Sequence, residues 1–445
     1  MAKIYPFRGI HYDINIVGDL SKVVAQPYDQ INDKLRETYY ARHPFHLTRI
    51  IKGRTEPDTD KDNVYSRGGD YLAEWMRDGV LKRDEKPAIY AYHQEYKVDD
   101  EIRVRKGFVA LAKLEAYGEG VKAHERTLAA PKQDRFNLMV TTEANTGQIF
   151  MLYSEPERLI NKALDTAIAG KEPDFLATDD FGCIHKMWRV TDKKAIREVK
   201  THMEPMTLFI ADGHHRYETA VNYMTHMKKL KKKCVKGATE NFNNCMMTFV
   251  NVDEPGLTIL PTHRLIYGLE DQKVKSLLNH AMEYFTIEHF PLGDNDEKAV
   301  KNVLDAMKTR QKNENLFGLY MKGDNEIKLL SLKDNHAMEN LVPEMSDDWK
   351  KLDIAILHTI LMDKFLGIDR EKLEAKTNVE YFRDPVEPFK KARDDDHYQL
   401  VFLVNPTGVE QVKKVAANGE RMPQKSTDFF PKLLSGMIMN KMMIE

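Results

Sequence analysis

The chain has 445 residues, and its 67 lysines and arginines nearly balance 69 aspartates and glutamates, which gives a formal net charge of −2. Hydrophobic residues make up 42% and charged residues 31%, values that exclude a generally disordered chain. The balanced charge provides no global basic field for nucleic acid. Three cysteines are too few to build a disulfide framework. No apolar run reaches the ~18 residues that a bilayer span requires. These features predict a cytoplasmic α/β protein with no membrane segment.

Strand-like and helix-like segments alternate along the chain, which predicts a mixed α/β fold. The first part contains a predicted helix at residues 70–80, strands at 88–92, 107–111, 148–153 and 207–211, a helix from His215 and a strand at 246–252. The charged stretch 101–106 is predicted to pair with the strand 107–111 as a hairpin. From about residue 270 the pattern restarts, with helices at 274–285, 299–311, 352–365 and 408–419 and strands at 315–321 and 396–404. We therefore predict two domains, residues 1–268 with the catalytic region and residues 269–445.

The segment MTLFIADGHHRYETA carries polar side chains directly after an apolar strand. Gly213 allows a tight turn, and a helix that begins there directs N–H groups and a partial positive charge towards the strand end. His214, His215 and Arg216 add donors at the same position, which is typical of a phosphate site. Asp212 would orient a histidine or hold a metal ion. The alternative is that the histidines cap the helix and Asp212 only stabilises the turn.

A second polar stretch, AHERTLAAPKQDRFNLMVTTEANTG, contains few apolar residues to bury. It is predicted to be a loop that lines a polar site, because functional side chains concentrate on loops. The alternative is a solvated loop with weak surface ion pairs. Its candidate site residues are His124, Glu125, Lys132, Arg135 and Asn145.

Two shorter segments add further candidates. The PYD turn contains Asp29, a carboxylate that could act as a base, and the MPQKST segment contains Lys425 and Ser426, which could bind phosphate. The alternatives are a structural turn at Asp29 and a helix N-cap at MPQKST. The chain contains no P-loop, protein-kinase or G-x-S-x-G motif, so a reaction at phosphate would need a different phosphate-binding site.

Six segments resemble the ordered signatures of domain-of-unknown-function family 1015: PFRGIHYD, VVAQPYDQI, HERTLAAPKQDR, IADGHHRYETA, ILPTHRL and MPQKSTDFFPKLLSG. They extend from Pro6 to Gly436, and one departure is Gln26, where the family usually has proline. The D-G-H-H-R segment is similar to the signature of ParB/sulfiredoxin-like folds, including the free-serine kinases, in which the matching strand–turn–helix grips nucleotide phosphate. The resemblance implies a ParB/sulfiredoxin-like core with a carboxyl-terminal α/β domain.

The family is associated with serine biosynthesis, so the resemblance implies phosphoryl exchange between serine or phosphoserine and a nucleotide. ATP or ADP would be the co-substrate and Mg²⁺ the cofactor. Only the residues from Asp212 to Arg216 carry over one by one from the ParB-like signature. The expected roles are catalysis for Glu125, Asp29 and Asp212, phosphate or nucleotide binding for Gly213, His214, His215, Arg216, Lys132, Arg135, Lys425 and Ser426, substrate binding for His124 and Asn145, and Mg²⁺ binding for Asp212.

Two other functions remain open at this point. The chain could be a nucleotide-binding regulatory or DNA-associated protein without turnover, or a phosphatase that releases inorganic phosphate from phosphoserine. The net charge of −2 and the absence of a basic helix-turn-helix argue against a nucleic-acid partner. We therefore expect serine or phosphoserine and an adenine nucleotide as partners, and the sequence is compatible with an oligomer.

Overall fold

The computed structural model describes residues 2–98, 100–115, 120–123, 129–293, 295–375 and 377–445. Within these residues the chain divides into two compact units. The first comprises the chain up to residue 258 together with the carboxyl-terminal segment 431–445, and the second comprises residues 259–430. The boundary predicted between residues 268 and 269 stays a prediction, and it differs from these units in assigning the segment 431–445 to the second domain.

The strands and helices are named here in chain order. The strands are β1 (Ile4–Tyr5), β2 (Ile10–Tyr12), β3 (Leu81–Arg83), β4 (Ile89–Val98), β5 (Glu101–Lys113), β6 (Val121–Ala123), β7 (Ala144–Asn145), β8 (Ile149–Tyr153), β9 (Phe175–Thr178), β10 (Ile184–Val190), β11 (Leu208–Asp212), β12 (Asn244–Asn251), β13 (Thr258–Leu260), β14 (His263–Tyr267), β15 (Phe285–Pro291), β16 (Leu316–Met321), β17 (Glu326–Leu332), β18 (Val379–Phe382), β19 (Tyr398–Val404), β20 (Asp428–Phe430) and β21 (Asn440–Lys441). The helices are α1 (Ile14–Val17), α2 (Asp33–Arg42), α3 (Thr48–Ile51), α4 (Val64–Arg77), α5 (Ala129–Thr142), α6 (Leu159–Ile168), α7 (Lys193–Met203), α8 (His214–Lys229), α9 (Asp271–Tyr284), α10 (Asp296–Arg310), α11 (Asp347–Lys350), α12 (Asp353–Ile356), α13 (Arg370–Ala375), α14 (Val386–Asp394) and α15 (Val409–Ala417). Short 3₁₀ turns occupy Leu20–Lys22 and Tyr28–Gln30, and a π-helix occupies Leu357–Phe365.

In the described chain, nine strands form the central sheet of the first unit, in the order β6-β11-β8-β12-β5-β4-β10-β9 with β1 beside β5. Most neighbours are antiparallel, but β11 is parallel to β6 and β12 is parallel to β8. All residues of β12 are buried, as expected for a central strand covered on both faces. The sheet therefore fixes the end of β11, where the polar D-G-H-H-R segment begins.

Helices bury one apolar face each against this sheet. In α7, Ala195, Val199 and Met203 recur every four residues and are buried. In α8, Tyr217 and Ala220 belong to the same apolar cluster as residues of β8, β11 and β12. Burial of a large apolar side chain contributes roughly 1.5–3 kcal/mol, so these contacts fix the position of both helices.

The prediction that residues 101–106 pair with residues 107–111 as a hairpin is wrong. Residues 101–113 form one strand, β5, and this strand pairs with β4. Gly107 suggested the start of a new strand, but it lies inside β5, where an added Cβ would be 2.6 Å from the carbonyl oxygen of Phe249. Glycine is needed here because β12 approaches closely, and it does not mark a break.

The segment 431–445 crosses the first unit through short antiparallel pairings. Its methionines and leucines are mostly buried, as is common for residues that fill gaps in a core. The pairings join Ser435 to Ala25, Met439 to Ile10, and Asn440 to Asn145.

The second unit has its own antiparallel sheet, in the order β15-β17-β16-β19-β14-β18. Val300 and Val303 of α10 and Phe389 of α14 pack in its core. The helix predicted at 352–365 is present as α12 followed by the π-helix. The mixed α/β class is thus confirmed for both units. No helix in the described ranges combines the length and the apolar character needed to cross a membrane.

His46 gives the stability of the fold a pH dependence. Its ring is fully buried and stacks on the ring of Tyr39, with the centroids 4.3 Å apart. Burial lowers the pKa of His46 to about 3. The unfolded chain takes up this proton below about pH 6.5 and the folded chain does not, so stability falls as the pH decreases from 6.5 towards 3.

We expect this single group to lower the free energy of unfolding by about 2 kcal/mol at pH 5. The variant His46→Asn should lose that much less stability between pH 7 and pH 5, as measured by urea unfolding at both pH values. His280 is exposed, and His280→Asn should lose as much as the unchanged protein. An equal loss in all three proteins would show that His46 is not the group responsible.

Candidate functional site

The strand–turn–helix predicted from the D-G-H-H-R segment is present. Strand β11 ends at Asp212 and α8 begins at His214, with Gly213 between them. Gly213 has φ +96°, a left-handed conformation that a residue with a Cβ adopts only at a cost. The positive end of the α8 dipole therefore lies directly beyond a buried strand.

Arg216 folds back from the first turn of α8 over Gly213. An added Cβ on Gly213 would lie 3.1 Å from its Nε. Nη2 of Arg216 donates to Oδ2 of Asp212 at 3.2 Å, and Nη1 donates to the carbonyl oxygen of Gln148. Burial disfavours the charged guanidinium, but the carboxylates of Asp212 and Asp29 outweigh this and raise the pKa of Arg216. Arg216 is thus a cation held in one orientation by fixed contacts.

A cavity of about 50 Å³ opens beside Arg216, with room for a few water molecules or one small polar group. All of its walls belong to the first unit, but they come from distant parts of the chain. They are supplied by Pro27, Tyr28, Ile51, Arg135, Leu138, Met139, Ala144, Asn145, Thr146, Gly147, Ile149, Arg216, Thr219, Cys245 and Ser435.

Asn145 contributes a buried amide to this cavity, with 3% of the residue exposed. Its Oδ1 accepts hydrogen bonds from the backbone N–H of Met246 at 3.1 Å and from Nδ2 of Asn440 at 2.9 Å. Its Nδ2 has no hydrogen-bond partner among the described residues. A buried donor without a partner costs free energy, so an acceptor on a ligand would be stabilised here.

Tyr28 and Arg135 form a second part of the wall. The Arg135 guanidinium lies 4.0 Å from the centre of the Tyr28 ring and donates to the carbonyl oxygen of Ile51 at 2.9 Å. Nε and Nη2 of Arg135 also donate to Oδ2 of Asp134, at 2.8 and 2.6 Å. Burial and the carboxylate of Asp29 raise the pKa of Tyr28 to about 12. The phenol is therefore protonated at neutral pH and able to donate.

The two histidines of the segment have different environments. His214 is buried and His215 is half-buried. Burial lowers the pKa of His215, and the carboxylates of Glu218 and Asp29 oppose this only in part. His215 is therefore neutral at neutral pH. Because the exposed Asp29 acts on both His215 and Arg216, the structure brings the PYD turn close to the D-G-H-H-R turn.

The stretch predicted as a polar loop is largely helical, which corrects that interpretation. Residues Ala129–Thr142 form α5, in which Leu138 is buried and Met139 packs against the core. These few apolar residues anchor the helix against the core. Nζ of Lys132 lies 3.0 Å from Oε2 of Glu218, so an ion pair joins α5 to α8. The candidates His124 and Glu125 lie outside the described residues.

Lys425 and Ser426 belong to the second unit, whereas the other described candidates belong to the first. Ser426 is buried, its Oγ donates to the carbonyl oxygen of Pro423 at 2.6 Å, and its own carbonyl oxygen accepts from Thr407 at 2.6 Å. The alternative that MPQKST forms the N-cap of a helix is wrong. Residues 421–445 are all described, and they contain β20 and β21 but no helix. Phosphate binding by Lys425 and Ser426 stays a prediction.

Of the fifteen residues of the cavity wall, the sequence predicted Arg135, Asn145 and Arg216, and the residues that it missed include Thr146, Gly147 and Ser435. A Cβ added to Gly147 would lie 3.5 Å from Oγ of Ser435 and 3.8 Å from Nη1 of Arg216, so the glycine keeps this wall open. These three residues could have been suggested by two features of the sequence, the small residues directly after Asn145 and the serine in the KLLSG segment.

Mg²⁺ binding by Asp212 also stays a prediction. Among the residues that the structure describes, no group of three or more His, Cys, Asp or Glu side chains could hold a metal ion. Oδ1 of Asp212 accepts from the N–H of Gly213 at 2.9 Å, and Oδ2 accepts from Arg216. Mg²⁺ commonly binds through one or two carboxylates together with substrate phosphates. Asp212 therefore offers one carboxylate of the kind that such an ion uses when phosphates supply its other ligands.

Comparisons with known proteins give one family and several distant structures. The family model described as "Protein of unknown function (DUF1015)" matches residues 4–355. A free serine kinase in complex with AMP is 12% identical with a TM-score of 0.34, covering 72% of this chain and 89% of that chain. A conserved hypothetical protein from Pyrococcus furiosus is 14% identical with a TM-score of 0.31, covering 70% and 87%. SbnI with a carboxyl-terminal truncation, from Staphylococcus aureus, is 12% identical with a TM-score of 0.34, covering 74% and 85%. No curated protein matches the chain.

Proposed function

This chain belongs to the family of proteins of unknown function DUF1015, and we propose that the cavity beside Arg216 serves phosphoryl exchange between serine or phosphoserine and an adenine nucleotide. The protein would act as a serine kinase or as an ADP-dependent phosphoserine dephosphorylating enzyme. The two reactions are the forward and reverse directions of one phosphoryl exchange.

The observation that carries this proposal is the set of donors around one small cavity. Two of the five N–H donors of Arg216 bond to Asp212 and Gln148, and the other three have no partner in the described part of the chain. The unpartnered Nδ2 of Asn145 and the phenol of Tyr28 add further donors to the wall. Most of the wall is apolar, and the donors among its few polar groups, with a fixed guanidinium, favour a phosphoryl group over a neutral ligand.

In the kinase direction, the serine hydroxyl oxygen attacks the γ-phosphorus of ATP. The new O–P bond forms as the bond between the γ-phosphorus and the bridging oxygen breaks, ADP leaves, and the hydroxyl proton passes to a carboxylate. Asp29 and Glu125 are the candidates for this base. Such a transfer depends on alignment and neutralisation of charge, which Arg216 and the α8 terminus would supply.

The nucleotide would carry its own Mg²⁺, which neutralises phosphate charge during transfer. Residues of this chain would hold the phosphates from the other side. Arg135 and Lys132 are additional cations on α5, although both already contact carboxylates, Asp134 and Glu218 respectively. We therefore assign them a supporting role in phosphate binding.

The direct test is to incubate the purified protein with phosphoserine and ADP, or with serine and ATP, and to quantify serine, phosphoserine and both nucleotides. We expect equimolar turnover in at least one direction. Release of inorganic phosphate without ADP would indicate a phosphatase instead. A salt-dependent shift of duplex DNA without turnover would support the DNA-associated alternative. Absence of turnover in both directions would overturn the proposed exchange.

The variant Asn145→Asp tests whether the unpartnered amide meets the substrate. It keeps an oxygen acceptor for Met246 and Asn440 but replaces the Nδ2 donor by a second oxygen. We expect KM for phosphoserine to rise by about tenfold or more, equivalent to about 1.4 kcal/mol, because like charges now meet.

The control is Asn161→Asp in α6, since Asn161 is similarly buried but lies outside the cavity. Steady-state kinetics and a thermal melt should be measured for both variants. An unchanged KM in Asn145→Asp, or an equal change in both, would contradict the assignment.

A further inference from the structure

A groove separate from the Arg216 cavity lies between α7 and the amino-terminal strand of the first unit. Its volume is about 750 Å³, within the range of small-molecule sites. The two sites share no lining residue. We call this feature the α7 groove, and its charged lining residues are Lys3, Lys86, Lys193, Arg197, Lys200 and Glu204.

Three of these cations form a stripe along α7. Lys193, Arg197 and Lys200 follow at i, i+4 and i+7, so they share one face of the helix and span roughly 10 Å along its axis. The opposite face, with Ala195 and Val199, is buried in the core. The stripe therefore faces the groove because the helix cannot rotate without exposing its apolar face.

The five cations lack the acidic partners that other lysines of this unit have. None of the five makes an ion pair within the described residues, whereas Lys82, Lys106 and Lys186 lie 2.5 to 2.8 Å from carboxylate oxygens. Lys3 and Lys86 line the groove from outside α7, and Glu204 is the only carboxylate that lines it among the described residues. Positive charge therefore accumulates in the groove, where Glu204 is the only opposing charge among the described lining residues.

The helix dipole adds to this accumulation. Lys193 is the first residue of α7 and lies at the positive end of the dipole. The N-cap Asp192 accepts a hydrogen bond from the N–H of Ala195 at 2.8 Å and offsets part of this positive charge, and the first turn itself holds no acidic residue. A cation at this end is unfavourable in isolation. An anion in the groove would relieve both the repulsion among the side chains and this unfavourable placement.

We propose that the α7 groove binds a small ligand with several linked phosphates. Several cations within about 10 Å match the closely spaced charges of an oligophosphate. A nucleic-acid strand would need a longer cationic track and stacking surfaces. The groove instead has one aromatic ring, Tyr5, which Lys200 approaches to 5.7 Å. The site is independent of the exchange proposed for the Arg216 cavity.

The test is calorimetric titration of the full chain with tripolyphosphate, which requires no enzymatic activity. In the triple variant Lys193→Ala, Arg197→Ala, Lys200→Ala, we expect the Kd to rise by about tenfold or more. The matched control is Lys228→Ala, Lys229→Ala, Lys232→Ala, which removes the same charge from exposed positions near the end of α8. The control should bind within about twofold of the unchanged protein.

A second arm separates the groove from the cavity. Arg216→Ala should retain tripolyphosphate binding at the α7 groove, even if it abolishes the proposed exchange. Unchanged binding in the α7 triple variant, an equal loss in the α8 control, or complete loss in Arg216→Ala would overturn the proposal. Tighter, groove-dependent binding of a single-stranded oligonucleotide than of tripolyphosphate would also overturn the assignment to a small ligand.

Discussion

Replacing Arg216 by alanine is expected to lower kcat/KM for phosphoryl exchange by about 10²–10³-fold, the usual cost of removing a fixed donor from a developing negative charge. The Arg216 guanidinium is fixed on two sides, by Asp212 and by the carbonyl oxygen of Gln148. Its loss would remove both charge and directed N–H groups from the phosphoryl position. The measurement is steady-state kinetics in the active direction, with phosphoserine and ADP or with serine and ATP.

The variant Arg216→Lys separates charge from geometry. Lysine keeps the positive charge but cannot reproduce the planar fork of donors, so we expect its activity to stay well below that of the unchanged protein. Both variants should fold, because the side chain of Asp212 is 27% exposed and water can solvate it after the ion pair is lost. Wild-type kinetics in a folded Arg216→Ala protein would remove Arg216 from the proposed machinery.

The second large effect is expected for Gly213→Ala. A Cβ at this position would require a left-handed conformation at φ +96° and would lie 3.1 Å from Nε of Arg216. The conformation alone costs about 1–2 kcal/mol. The contact adds a displacement of the guanidinium, so we expect most activity to be lost even at temperatures where the variant remains folded.

Gly170→Ala is the matched control for this strain. Gly170 has φ +71°, and an added Cβ there would meet nothing within 4 Å. This variant should show a similar decrease in the free energy of unfolding, measured in urea, with unchanged kcat and KM. If Gly213→Ala lost only stability and kept its activity, the position of Arg216 would not matter for the reaction.

The local part of the candidate site was predictable, because it is encoded in adjacent residues. An apolar strand, an Asp-Gly pair and an amphipathic helix follow one another in sequence, and the structure contains β11, Gly213 and α8 in that order. The polarity of the stretch from residue 123 was misleading. It suggested a loop, although apolar residues such as Leu138 and Met139 anchor α5.

The rest of the cavity could not be predicted, because it depends on contacts between residues far apart in the chain. Asn145 faces Asn440, and Ala25 pairs with Ser435. No local periodicity encodes such pairings, and the short segments involved have no strong strand pattern of their own. Lys425, by contrast, is close to Ser435 in sequence but belongs to the other unit.

Because residues 431–445 belong to the first unit, they also determine when the cavity wall is completed during synthesis of this protein. A ribosome makes the D-G-H-H-R turn well before Ser435 and before Asn440, the partner of Asn145. The cavity wall is therefore incomplete on every nascent chain. Premature termination between the end of α8 and Ser435 would leave a polypeptide that retains the glycine turn but lacks the part of the cavity wall that Ser435 supplies.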